Sequence, residues 1–173
     1  MNCKTIKYAN LSESQTMDIY KPDKELDNHH MIVVIHGGAF MFGDQKMKRI
    51  KPIIKEALSH GFSVASIDYR KSNEAIFPGC LADCKAAIRY LKEHYEEYDI
   101  IPEQMIAWGE SAGAYLSLMC ALTSEVSELD GDVLDYHEYS SALKGFVAFY
   151  PPVEFYTMKK EYESWGDFKH GDG

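Results

Sequence analysis

The chain has 173 residues, 46% of them hydrophobic and 26% charged, which supplies one domain with a continuous core and excludes a disordered chain. Acidic residues outnumber basic ones, 27 to 18, and a net charge of -9 opposes a polyanion such as nucleic acid, whose phosphates need clustered Lys and Arg. The N-terminal residues lack the apolar run of a signal peptide, and no later stretch reaches the roughly 20 apolar residues that span a bilayer, so we expect a cytosolic protein without a membrane span.

Thr5–Tyr8 and Gln15–Tyr20 read as short strands around a polar turn, with Pro22 ending the second, and predict an antiparallel edge. Met31–Ile35 is continuously apolar and β-branched, as a central parallel strand covered on both faces requires. A helix from about Lys51 to Ser59, stopped by His60-Gly61, and a strand at Phe62–Ile67 complete a βαβ unit. From Pro78 to about Tyr95, the residues Leu81, Cys84, Ile88 and Leu91 form an apolar stripe beside Lys85, Arg89 and Lys92, which predicts an amphipathic surface helix. A strand at Gln104–Trp108, a glycine-rich turn and a helix with Ala112, Leu116 and Cys120 on one stripe follow. Ser124–Glu138 carries acidic residues and no Lys or Arg, so it reads as a solvated loop before a last strand at Gly145–Phe149. The alternation makes this an α/β chain, with a mostly parallel sheet and helices on both faces.

The cysteines at 3, 80, 84 and 120 read as structural thiols, because Cys80 and Cys84 are one helical turn apart and lack the C-x-x-C spacing of redox or zinc sites. Asp130-Gly131-Asp132 lacks the ligand spacing of a calcium loop, and no metal is expected.

Gly109-Glu110-Ser111-Ala112-Gly113 matches G-x-S-x-G between a predicted strand and a predicted helix, the context of a nucleophile elbow. The plain alternative is a Gly-Ser turn joining the two elements. A second loop, His36-Gly37-Gly38-Ala39-Phe40, follows the central strand and reaches the same end of the sheet, where ligands bind in doubly wound folds. Ser111 is then the candidate nucleophile, and the backbone N–H groups of Gly38, Ala39 and Ala112 are candidate donors to the oxyanion of acyl transfer. His36, Gly37, Gly109 and Gly113 are expected to support these loops, with Phe40, Phe42 and Glu110 beside the substrate.

With these two motifs, Asp68-Tyr69-Arg70, Phe77-Pro78 and Tyr150-Pro151-Pro152-Val153, the sequence resembles the α/β-hydrolase superfamily from about residue 15 onward. Within it, the chain is similar to carboxylesterases and lipases of the hormone-sensitive-lipase and acetyl-esterase kind. Ala39 stands where many relatives have a third glycine. The resemblance implies an α/β-hydrolase fold and hydrolysis of carboxylic esters, short acyl chains first, through an acyl-Ser111 intermediate with no metal or organic cofactor.

The family order of nucleophile, acid and histidine is not completed after Ser111, where His137 lies in the acidic loop and His170 near Asp167 and Asp172 at the end. Residues 1–173 therefore read as one α/β-hydrolase domain without its last strands, its sheet edge open to self-association. The functional alternative is a pseudoenzyme that holds an acyl or aromatic ligand without turnover.

Overall fold

In the computed structural model, which describes residues 3–133, 135–158 and 160, six strands form one sheet: β1 (Lys4–Lys7), β2 (Thr16–Tyr20), β3 (Met31–Ile35), β4 (Ser63–Ile67), β5 (Met105–Glu110) and β6 (Gly145–Phe149). Their spatial order is β1-β2-β4-β3-β5-β6. The first two strands pair antiparallel, and β4, β3, β5 and β6 run parallel. Four helices connect them among the described residues: α1 (Lys51–Ser59), α2 (Gly79–Glu93), the single turn α3 (Tyr95–Tyr98) and α4 (Ala112–Leu122).

Period-two alternation along each strand divides the core. On one face Val33, Ile35, Ala65, Ile67 and Ala107 pack with Leu81, Ile88, Leu116 and Cys120 of α2 and α4. On the other, Val34 and Val64 pack with Ile50, Ile54 and Ala57 in and just before α1. Helices thus cover both faces, as expected from the apolar run of β3. The bounds of β3, α1 and β6 coincide with the sequence reading, whereas β5 continues through Gly109 to Glu110.

Helix α2 departs from expectation. Lys85 and Arg89 are buried, at 0% and 2% exposure, instead of facing water. The supposedly solvated acidic segment folds over them. Lys85 Nζ donates to the carbonyls of Thr123 (2.8 Å) and Val126 (3.1 Å) and pairs with Asp130 at 2.5 Å. Arg89 pairs with the same carboxylate at 3.4 Å and donates to Val133 O at 3.3 Å, while Val133 is itself buried. Arg70 ties Asp132 of the segment (2.7 Å) to Asp83 of α2 (2.9 Å). Burying cations this deeply requires carboxylates and carbonyls around them, and the acidic run provides both.

Strand β6 forms the far edge, with Phe146, Val147 and Phe149 at 39%, 39% and 48% exposure. No helix among the described residues is long and apolar enough to cross a membrane.

Candidate active site

Ser111 stands between β5 and α4 with φ 52° and ψ -122°, a left-handed conformation that costs a non-glycine residue about 1–3 kcal/mol. Its backbone is held from both sides: the Ser111 N–H donates to Phe149 O of β6 (2.9 Å), and its carbonyl accepts from Tyr115 N (3.1 Å). The side chain is half-buried, and its hydroxyl has no hydrogen-bond partner among the described residues.

Two glycines let the neighbouring loop approach. A methyl group added at Gly113 would stand 2.0 Å from Ile35 O and 2.6 Å from His36 O, so the first turn of α4 rests directly on the end of β3. One added at Gly37 would stand 2.7 Å from Glu110 O and 3.2 Å from the Ser111 Cβ. Gly109 faces the Gly113 carbonyl inside the elbow. The structure therefore brings together the two loops that the sequence places at the ends of β3 and β5.

After Gly37 the chain turns through Gly38, Ala39 and Phe40, with φ of 138°, 52° and 61°. The Gly38 carbonyl accepts from Met41 N (2.9 Å) and Phe42 N (3.1 Å), which closes the loop on itself. The N–H groups of Gly38, Ala39 and Ala112 donate to no carbonyl among the described residues.

His36 is fully buried with both ring nitrogens engaged, Nδ1 at 2.8 Å from Gly37 O and Nε2 at 3.0 Å from an Asp68 carboxylate oxygen. Its ring stacks on Tyr69 at 4.5 Å, and the Tyr69 hydroxyl donates to His36 O at 2.8 Å. Burial pushes the Tyr69 phenol well above its ordinary range. Lys71 Nζ also reaches Asp68, so strand-end residues from β3 and β4 are locked into one buried polar network.

Beside the elbow lies an apolar cavity of about 380 Å3 lined by Phe40, Phe77, Cys80, Tyr115 and Phe155, with Ser72 and Ala75. Phe40 and Phe155 both approach Tyr115 edge-on, at 5.7 Å and 5.3 Å between ring centroids. Burial pushes the Cys80 thiol up to about 11 and raises the Tyr115 phenol. Tyr115 is one helical turn from Ser111, a spacing that names it from the sequence; Phe155 and Phe77 come from distant segments with no such local signal.

Two expected pocket residues lie elsewhere. Phe42 is 60% exposed and does not line the cavity. Glu110 is also absent from its wall, because the continued alternation of β5 sends its side chain to the α1 side of the sheet. There it pairs with Arg49 and accepts from the Tyr150 hydroxyl at 2.6 Å.

No described histidine bonds to Ser111. His137 places Nε2 3.0 Å from Val133 O in the segment beyond α4, and His170 lies outside the described residues, as do Asp167 and Asp172. One group has metal-like spacing among the described residues, Asp27, His29 and Asp99. The Lys21 ammonium already meets Asp27 at 2.7 Å and Tyr98 O at 2.8 Å, supplying the positive charge there.

A family model described as BD-FAE matches residues 17–170. A probable carboxylic ester hydrolase, LipM, from Mycobacterium tuberculosis is 28% identical over 156 residues, which cover 89% of this chain and 35% of the relative. An acetyl esterase from Salmonella schwarzengrund is 32% identical over 108 residues, covering 62% of this chain and 32% of that protein. A solved structure described as a truncated form of carbohydrate esterase from gut microbiota superposes with a TM-score of 0.84 at 30% identity, over 92% of this chain and 60% of that one. The chain spans about a third of the length of the two sequence relatives. Its sheet is that of the α/β-hydrolase esterases, and by a match that takes in nearly all of its residues the chain belongs to the BD-FAE family.

Proposed function

We propose that the protein hydrolyses carboxylic esters with Ser111 as the nucleophile. Its strained φ of 52°, beside a loop close enough for a Gly37 methyl to stand 3.2 Å from the Ser111 Cβ, is the observation that carries the proposal. Ser111 Oγ attacks the ester carbonyl carbon and gives its proton to a base supplied by residues outside those described. The carbonyl oxygen becomes an oxyanion facing the unengaged N–H groups of Gly38 or Ala39 and Ala112, each worth on the order of 3 kcal/mol in the transition state. Collapse expels the alcohol, which takes up the proton, and water then cleaves the acyl-Ser111 bond.

The apolar cavity next to Tyr115 receives the acyl group. At about 380 Å3 it falls near the low end for small-molecule sites, which favours short acyl chains. The name of the Salmonella relative, an acetyl esterase, supports the same size class. His36 holds the oxyanion loop and is not the base, since both of its nitrogens are occupied.

Hydrolysis of p-nitrophenyl acetate by wild type and Ser111→Ala tests the proposal. Release of p-nitrophenol that falls at least about a hundredfold in the variant is expected for a nucleophile. Equal rates in the two proteins contradict it.

A further inference from the structure

Tyr69 stands where the two halves of the proposed oxyanion site touch. Its hydroxyl donates to His36 O at 2.8 Å, and α4 rests on that same carbonyl, since a methyl group added at Gly113 would stand 2.6 Å from it. Gly38 and Ala39 follow His36 by two and three residues, and Ala112 directly precedes Gly113. The place of one carbonyl oxygen therefore bears on the donors of both loops.

Tyr69 is itself fixed. It is fully buried, its ring stacks on the His36 imidazole with 12° between planes, and burial pushes the phenol well above its ordinary range, so the hydroxyl keeps its proton and stays a donor. The backbone around it is anchored too. The Asp68 N–H donates to Thr16 O of β2 at 2.9 Å, and the Ser72 N–H donates to Phe40 O at 2.8 Å. The segment after β4 thus grips residues 36–40 at both ends, across the left-handed backbone of Ala39 and Phe40, which non-glycine residues hold only with outside support.

We propose that Tyr69 is a positioning residue for ester hydrolysis, its hydroxyl fixing the His36 carbonyl and through it the spacing between the Gly38 or Ala39 N–H and the Ala112 N–H. Tyr69 touches no substrate, being fully buried and absent from the wall of the apolar cavity. This role rests on Ser111 being the nucleophile. Donors aimed at the oxyanion act in the transition state, so loss of the hydroxyl falls on kcat and not on KM.

Tyr69→Phe keeps the stacked ring and removes only the hydroxyl. Tyr8→Phe is its control, because Tyr8 is equally buried and its hydroxyl donates to a different strand-end carbonyl, Asp68 O, at 2.7 Å. The test is p-nitrophenyl acetate kinetics and urea denaturation of wild type, Ser111→Ala and both tyrosine variants, with active sites counted by fluorophosphonate titration. Tyr69→Phe is expected to lower kcat at least about tenfold with KM within about twofold of wild type, since small displacements of such donors are costly. Tyr8→Phe is expected to lower the urea midpoint to a similar extent yet keep kcat within about twofold. Wild-type kcat in Tyr69→Phe, or equal kcat losses in the two tyrosine variants, overturns the positioning role and leaves Ser111 standing. Equal rates in wild type and Ser111→Ala overturn the nucleophile and this role with it.

Discussion

Cys80 shows how the apolar cavity sets the chemistry of a single side chain. It lines the proposed acyl pocket, and burial lifts its thiol from the ordinary 9.0 to about 11. The thiolate is the reactive form, so alkylation of Cys80 by iodoacetamide is expected to stay slow at neutral pH and to accelerate only as pH approaches about 11. Exposed Cys3 is free of that enclosure and should react first. Because the folded value lies above the unfolded one, this thiol contributes stability fully below pH 9.0 and loses it as pH rises through about 11. Peptide mapping after alkylation at two pH values is the check, and rapid neutral-pH labelling of Cys80 contradicts the raised thiol. At this scale Ser111 and Gly37 were legible because their motifs encode tight turns, which are local. Glu110 was misplaced because its side depends on how far β5 extends, and pairing with β6 carries the strand two residues past Trp108. Arg49 and Tyr150 meet Glu110 from remote segments, and no local pattern announces such a contact.

Among the elements, α2 and the acidic segment behave as one unit. Periodicity correctly marked the apolar stripe, but it assigned Lys85 and Arg89 to water because charged residues at helical spacing usually line a solvated face. The missing information was the path of residues 123–133, whose carboxylates and carbonyls travel to the cations. Asp130→Ala leaves two buried cations without their shared carboxylate and is expected to cost about 3 kcal/mol in urea denaturation. Asp135→Ala, on the exposed part of the same segment, is expected to stay within about 0.5 kcal/mol. Equal and small effects would return the segment to the solvated loop that its composition alone implies.

Across the whole molecule, the doubly wound core was readable from the sequence because β3 and β6 are apolar runs and α1 has clear end signals. The edge at β6 carries the expectation of self-association: among the described residues, Phe146, Val147 and Phe149 leave apolar surface beside backbone groups that no further strand pairs. Sedimentation of wild type at rising concentration should show species larger than a monomer, and Val147→Lys, which puts a charge on that edge, should return the monomer. A wild-type monomer at every concentration contradicts the expectation. The central claim concerns the carboxyl ends of the parallel strands, where the loops after β3 and β5 flank the Ser111 hydroxyl. Its most direct measurement is a crystal structure of the protein after reaction with a fluorophosphonate, which leaves a phosphonyl group in place of the tetrahedral intermediate. The expected result is an adduct on Ser111 Oγ with the phosphonyl oxygen about 2.7–3.1 Å from the N–H of Gly38 or Ala39 and from that of Ala112. An adduct on another residue, or a phosphonyl oxygen turned away from these amides, would contradict it.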